Sequence, residues 1–309
     1  MNAVVRQKST IVRKSIALTA LRAGFALGGR LAPRRTADRA ARLFATPFAS
    51  SRSRAQAAQP DAEMQPGELR VNGETLATYT WGDPAAQPYA LLVHGWSSYG
   101  LRFLPWMARL RERGYAVVTF DQPGHGRSSG RLSSLPEFVE AVRAIGDRHG
   151  HAALAVGHSL GGAALALAQG EAWRAERLVL FAPPADMLAA AQRFMRFVRL
   201  GTHLREPFID WLKRRTGVDA RDLQVHRYVP AFGQPGLIVH DVDDAEVPWE
   251  EGERYARYWP HARLLTTRGL GHNRVVDDPA VVDAVLRFLD GEAVGERVVS
   301  TLELPFGVA

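Results

Sequence analysis

The feature that most constrains this chain is the alternation, from about residue 69 onward, of short compact apolar runs with longer stretches of helical spacing. The runs lie at 69–71, 75–81, 89–93, 115–120, 152–156, 177–181, 236–240 and 262–266, and helical stretches at 101–113, 135–149, 160–168, 249–258 and 279–290 follow most of them. Runs apolar at nearly every position cannot have one face in water, so they predict a parallel sheet covered by helices on both faces, an α/β architecture. The last helix is signalled by Asp278 as N-cap and Pro279 at its first position. Between 181 and 236 lie about 50 residues without strand character, too many for an ordinary connection. They predict a helical lid insertion at 184–235 between a first core segment, 61–183, and a second, 236–300, with a short tail at 301–309.

Charge separates a further region. The 309 residues carry a net charge of +7, but residues 1–60 hold 12 Lys and Arg against the single acid Asp38, leaving the rest mildly acidic. That distribution predicts a basic N-terminal arm and linker rather than a nucleic-acid groove in the body, so no nucleic acid is expected as a partner. Helical spacing over 11–31 puts Ile11, Leu18, Leu21 and Phe25 on one side, and Val12, Ile16, Ala20, Ala23, Leu27 and Leu31 on a nearly opposite one. Arg22 interrupts the apolar run, so neither a spanning helix nor a secretory signal is expected. The expected location is cytoplasmic, with peripheral membrane contact through Leu18, Leu21 and Phe25 as one use of the arm, and packing against the body, disorder or removal as a targeting segment as the alternatives. Residues 49–65, rich in Ser, Ala, Gln and Arg, are expected to be a linker. The chain has no cysteine, which excludes disulfides, thiolate metal sites and a thiol nucleophile. No clustered ligands suggest a metal, and no cofactor is expected.

The chemistry concentrates where strands end. At Gly157-His158-Ser159-Leu160-Gly161-Gly162 an apolar strand turns at once into a small-residue helix, so Ser159 sits at a strained corner with glycines removing the side chains that would collide there. Leu91-Leu92-Val93-His94-Gly95-Trp96 runs from strand into turn, and the backbone N–H groups of Trp96 and Leu160 would form a two-donor oxyanion hole. A serine hydroxyl needs a neutral imidazole to take its proton, and the imidazole needs a carboxylate to fix its tautomer. His272, in a Gly-flanked loop after the last strand, supplies the imidazole, and the acids after the strand at 236–240 supply the carboxylate. The segment Asp121-Gln122-Pro123-Gly124-His125-Gly126 lacks the third glycine and following helix of a dinucleotide fingerprint and reads as a structural loop. His94 and His158 are expected to brace loops, and His149 and His151 to be a surface pair without a metal.

Taken together, HGW at 94–96, DQPGHGRS at 121–128, GHSLGG at 157–162, HDVDDAEVP at 240–248 and GLGH at 269–272 resemble the α/β-hydrolase superfamily over about 67–290. The resemblance implies a mostly parallel α/β-hydrolase sheet of about eight strands with helices on both faces and a helical lid insertion, and a serine hydrolase acting on the acyl bond of a small-molecule substrate, foremost a carboxylic ester. It assigns the triad acid to Asp244, four residues before Pro248, with Asp243 and Asp186 as lesser candidates. The chain departs from the family in carrying Asp241 where a glycine is usual. Within the same superfamily the alternatives are an amidase, thioesterase, carbon–carbon hydrolase or acyltransferase, or an idle binding module. The aromatics Phe194, Phe197, Phe208, Trp211, Tyr228 and Phe232 of the insertion are expected either to line an acyl pocket or to dock the insertion.

Overall fold

In chain order the helices are α1 (Asn2–Leu31), α2 (Pro33–Phe44), α3 (Ser50–Ala57), α4 (Leu104–Glu112), α5 (Leu135–His149), α6 (Leu160–Ala168), α7 (Met187–Phe197), α8 (Arg205–Thr216), α9 (Trp249–Tyr258), α10 (Gly271–Arg274) and α11 (Pro279–Leu289). The strands are β1 (Gln65–Val71), β2 (Glu74–Trp81), β3 (Tyr89–Val93), β4 (Ala116–Phe120), β5 (Leu154–His158), β6 (Leu178–Phe181), β7 (Gly236–Asp241) and β8 (Ala262–Thr267). The computed structural model describes residues 2–298, with side chains from Ile16 onward except that of His226. The expected tail at 301–309 lies outside the described residues.

The eight strands form one sheet in the order β1-β2-β4-β3-β5-β6-β7-β8. β1 and β2 pair antiparallel, as do β2 and β4, and every other neighbour is parallel. Every residue of β3, β4, β5, β6 and β7 is buried, which is why these strands read as unbroken apolar runs. Edge strand β1 instead alternates between exposed and half-buried positions. The helix signals are met locally. Asp278 accepts from the N–H groups of Ala280 and Val281 at the start of α11, and at the start of α5 the N-cap Ser134 hydroxyl accepts from Glu137 N–H and donates to the Glu137 carboxylate.

The described residues fold into two compact units, one of residues 2–46 with 187–223 and the other of 47–186 with 224–298. The second holds the sheet, with a core that includes Trp81, Trp106, Leu154, Phe181, Val239 and Val285. The first joins α1 and α2 to α7 and α8 around Phe25, Ala37, Ala41, Met195, Phe208 and Ile209. Patterning along the sequence separates a basic arm from an insertion, whereas the fold packs them together as one helical unit. α1 stays helical through Gly28 and Gly29 because those positions let other helices approach. A Cβ at Gly28 would lie 2.7 Å from Thr36 Oγ1, and one at Gly29 would lie 3.1 Å from a Leu204 methyl. Phe44, Phe194 and Phe208 pack ring against ring at 5.1–6.1 Å, so these insertion aromatics dock helices of their own unit.

The unit boundary also changes the reading of 49–65. Residues 50–57 are helix α3, and they belong to the sheet unit rather than forming a free linker. No helix among the described residues is long and apolar enough to cross a membrane.

Candidate active site

Parallel strands deliver their carboxyl ends to one edge of the sheet, and the chemistry-bearing residues lie there. At the β5–α6 corner Ser159 has φ 52° and ψ −125°, a conformation costly for any L-residue. A Cβ at Gly161 would lie 2.4 Å from the carbonyl oxygen of Val93, so only glycine lets α6 start this close to β3. The N–H groups of Trp96 and Leu160 donate no hydrogen bond within the chain among the described residues, leaving two backbone donors beside the Ser159 corner.

His272 is the second residue of α10 beyond β8, and its Nδ1–H donates to Asp244 Oδ2 at 2.7 Å. The Asp244 side chain is fully buried. Its other oxygen accepts from the N–H groups of Glu246 and Val247 at 2.8 and 2.9 Å. His240 Nε2 stands 3.5 Å from Oδ2. Burial alone would raise the pKa of this carboxyl, but the hydrogen bonds and His272 outweigh it and hold Asp244 well below the usual carboxylate range.

The neighbouring acids have other partners. Asp241 accepts from Thr267 Oγ1, Leu270 N–H and Asp243 N–H, tying the end of β7 to the turn that carries His272. Burial is again the largest influence on it, and again these hydrogen bonds outweigh it and lower the Asp241 pKa. Asp243 is half-exposed and accepts from Gly269 N–H. Asp186 pairs with Gln224 and Arg254. Of these carboxylates, Asp244 is the one brought to the imidazole.

The residue before Ser159, His158, is tied directly to His272. His158 Nε2–H donates to the His272 carbonyl at 2.9 Å, and the two rings lie 4.8 Å apart. Arg102, in the 3₁₀ turn Gly100–Phe103, donates to His158 Nδ1 at 3.0 Å and to the Asn273 carbonyl at 3.2 Å. Burial, with the charge of Arg102 beside it, pushes the His158 pKa well below its ordinary value, so the neutral tautomer with hydrogen on Nε2 fits both contacts. No hydrogen bond links Ser159 Oγ to His272 among the described residues. Such bonds commonly tighten only when substrate is bound.

Two further braces surround the pocket-side loops. His94 donates from Nδ1 to the Gly95 carbonyl and accepts from Gln122 N–H, joining the loop after β3 to the loop after β4. Burial drives its pKa down to about 3. From α3, Arg52 donates to the carbonyls of Gly124, Gly126, Ser128 and Gly130, at 2.7–3.3 Å. Arg54 donates to the Ser97 carbonyl at 2.6 Å and Phe48 N–H to Ser97 Oγ at 2.9 Å. Ser97, directly after Trp96, has φ 52°. Arg52, Arg54 and Arg102 were not legible as site residues in the sequence. A lone arginine outside every motif carries no local signal of the carbonyls it will reach.

Comparison with known proteins agrees with this architecture. The family model for the alpha/beta hydrolase family matches residues 90–285. A pimeloyl-[acyl-carrier protein] methyl ester esterase of Xanthomonas oryzae is 26% identical, over 60% of this chain and 88% of its own. An uncharacterized abhydrolase domain-containing protein of Dictyostelium discoideum is 34% identical over 79 residues, a match that takes in only 8% of its length. The crystal structure of a hydrolase from Pseudomonas aeruginosa superposes with a TM-score of 0.56 at 24% identity, covering 74% of this chain and 99% of that one. The sheet order, the strained serine corner between β5 and α6, and a family match over more than half of the residues make this chain a member of the alpha/beta hydrolase family.

Proposed function

We propose that this chain is a serine hydrolase of small-molecule carboxylic esters, working through an acyl-enzyme on Ser159. The observation that carries the reading is the 2.7 Å hydrogen bond from His272 Nδ1 to the buried, ionised Asp244, at the same sheet edge as the strained Ser159 corner. Asp244 fixes the tautomer that leaves Nε2 of His272 as the base. Ser159 Oγ attacks the ester carbonyl as its proton passes to Nε2, and the N–H groups of Trp96 and Leu160 receive the oxyanion. Collapse of the tetrahedral intermediate expels the alcohol, which takes the proton from His272. Water, deprotonated by the same imidazole, then attacks the acyl carbonyl and frees the acid and Ser159. Every group in this sequence belongs to the chain or to solvent. An ester is favoured over an amide or thioester because the relative matched over most of its own length is a methyl ester esterase.

The test is labelling by a fluorophosphonate together with turnover of p-nitrophenyl esters of graded chain length. The full chain should label and turn over, and Ser159→Ala should lose all labelling and at least ~10⁴ in turnover while melting normally. Labelling of the variant at another serine, or a parent chain that neither labels nor hydrolyses any ester, would overturn the assignment.

A further inference from the structure

The helical unit carries a surface that the chemistry above does not use. Residues 1–46 and 187–223 contain 18 basic and 5 acidic residues, a net +13, whereas the remainder of the chain has 21 basic and 27 acidic. Asp38, the one acid of the first 46 residues, is paired with Arg214 at 3.3 Å. Arg30, Arg34, Arg35, Arg39 and Arg42 are all exposed and, among the described residues, make no ion pair or side-chain hydrogen bond. On α2 the spacing of Arg35, Arg39 and Arg42 puts them on one face, away from the buried Thr36, Ala37, Ala40 and Ala41.

The apolar side of this surface is equally uncovered. Phe25 is buried and Leu21 half-buried against the other helices of the unit. The opposite side of α1 presents Ile16, Leu27 and Leu31 at 64, 61 and 76% exposure, with Ala20 and Ala23 between them. The spacing 16, 20, 23, 27, 31 is a continuous helical stripe. The face expected to enter a membrane, Leu18, Leu21 and Phe25, is instead the one turned toward protein.

We infer that the helical unit docks on an anionic membrane surface, with Ile16, Leu27 and Leu31 entering the interface and the arginines of α1 and α2 meeting the headgroups. Exposed aliphatic side chains flanked by unpaired arginines match what an interfacial helix needs. A nucleic acid would use the charge but leave the aliphatic stripe in water. A second copy of the chain would bring one strongly positive unit against another. The inference does not depend on the reading of Ser159, His272 and Asp244.

The experiment is sedimentation of the full chain with vesicles of phosphatidylcholine alone and of phosphatidylcholine with phosphatidylglycerol, at low and high salt. The chain should pellet with the anionic vesicles at low salt, and the bound fraction should fall about tenfold on neutral vesicles or at high salt. Leu27→Asp/Leu31→Asp and Arg34→Gln/Arg35→Gln/Arg39→Gln should each weaken partitioning about tenfold, with unchanged melting and unchanged turnover of a soluble ester. Should the leucine variant misfold, the arginine variant and the salt series decide. A chain that stays in the supernatant with anionic vesicles at low salt overturns the inference. So does a leucine variant that folds and pellets like the parent, which would leave binding by charge alone and keep Leu27 and Leu31 out of the interface. So does a dimer in sedimentation velocity that Leu27→Asp/Leu31→Asp dissolves.

Discussion

At the scale of single residues, the four candidate carboxylates have four different jobs, and their hydrogen bonds and ion pairs tell them apart. Asp244 holds the His272 imidazole, Asp241 ties β7 to the turn before His272, Asp243 meets Gly269 N–H, and Asp186 pairs with Gln224 and Arg254. Asp244→Asn should cost about 10⁴ in kcat on a soluble ester, because the amide presents the wrong partner to Nδ1. Asp243→Asn and Asp186→Asn should stay within about threefold of the parent by the same logic, since neither touches the imidazole. Steady-state kinetics on the three variants checks this, and a crippled Asp186→Asn with an active Asp244→Asn would move the acid to the earlier strand. Asp241 also accounts for the family departure at its position. Its carboxylate takes Thr267 and Leu270, a contact that the usual glycine cannot make.

At the scale of elements, α3 acts as a strap. Its arginines reach the two loops that flank Ser159, Arg52 through four carbonyls of the loop after β4 and Arg54 through Ser97 in the loop after β3. Ser97 sits in the left-handed region next to Trp96, so the Arg54 and Phe48 contacts help hold the Trp96 N–H in place. Arg54→Ala should therefore lower kcat about 10-fold to 100-fold with little change in KM, less than the loss from removing an oxyanion donor outright. Arg54→Lys should restore part of it, since one ammonium can reach a single carbonyl. A rise in KM at unchanged kcat, or a wild-type kcat with a lowered melting temperature, would mean that α3 only stabilises the loop.

Across the whole molecule, the sheet unit buries three histidines as neutral groups. Burial holds His94 at about 3 and His125 and His158 well below their ordinary value. In the unfolded chain each binds a proton below about pH 6.5, and in the folded chain it does not, so the unfolded state binds more protons and stability rises with pH through this window. Each uncompensated histidine contributes a slope of about 1.4 kcal/mol per pH unit as pH falls below 6.5, down to about 3 for His94. Asp244 has the usual carboxylate sign, stabilising above the unfolded value near 3.9 and losing that contribution as pH falls further. Urea unfolding between pH 7.5 and 4.5 should show stability falling more steeply than one histidine allows. The signal is tryptophan fluorescence, set mainly by the buried Trp81, Trp106, Trp173 and Trp259 of the sheet unit. A flat profile from pH 7 to pH 5 would show that these rings protonate in the folded chain.

Much of this was local and therefore readable. Period and burial are written into consecutive residues, so the runs from Tyr89 to Thr267 announced a covered parallel sheet. Gly157-His158-Ser159-Leu160-Gly161 announced a strained corner, because only such glycines let a strand turn into a helix at once. What the sequence left open was choice of partner. Four acids crowd the six positions from 241 to 246, and only folding sets one of them 2.7 Å from His272 Nδ1. α1 has two apolar sides, and only its packing with α2, α7 and α8 decided that Phe25 turns inward and Leu27 outward. Arg102 and Asn273 are 171 positions apart, and Arg52 reaches carbonyls more than 70 positions away. Contacts of that range are made by the assembled chain, because no local period records which carbonyl a long cationic side chain will meet.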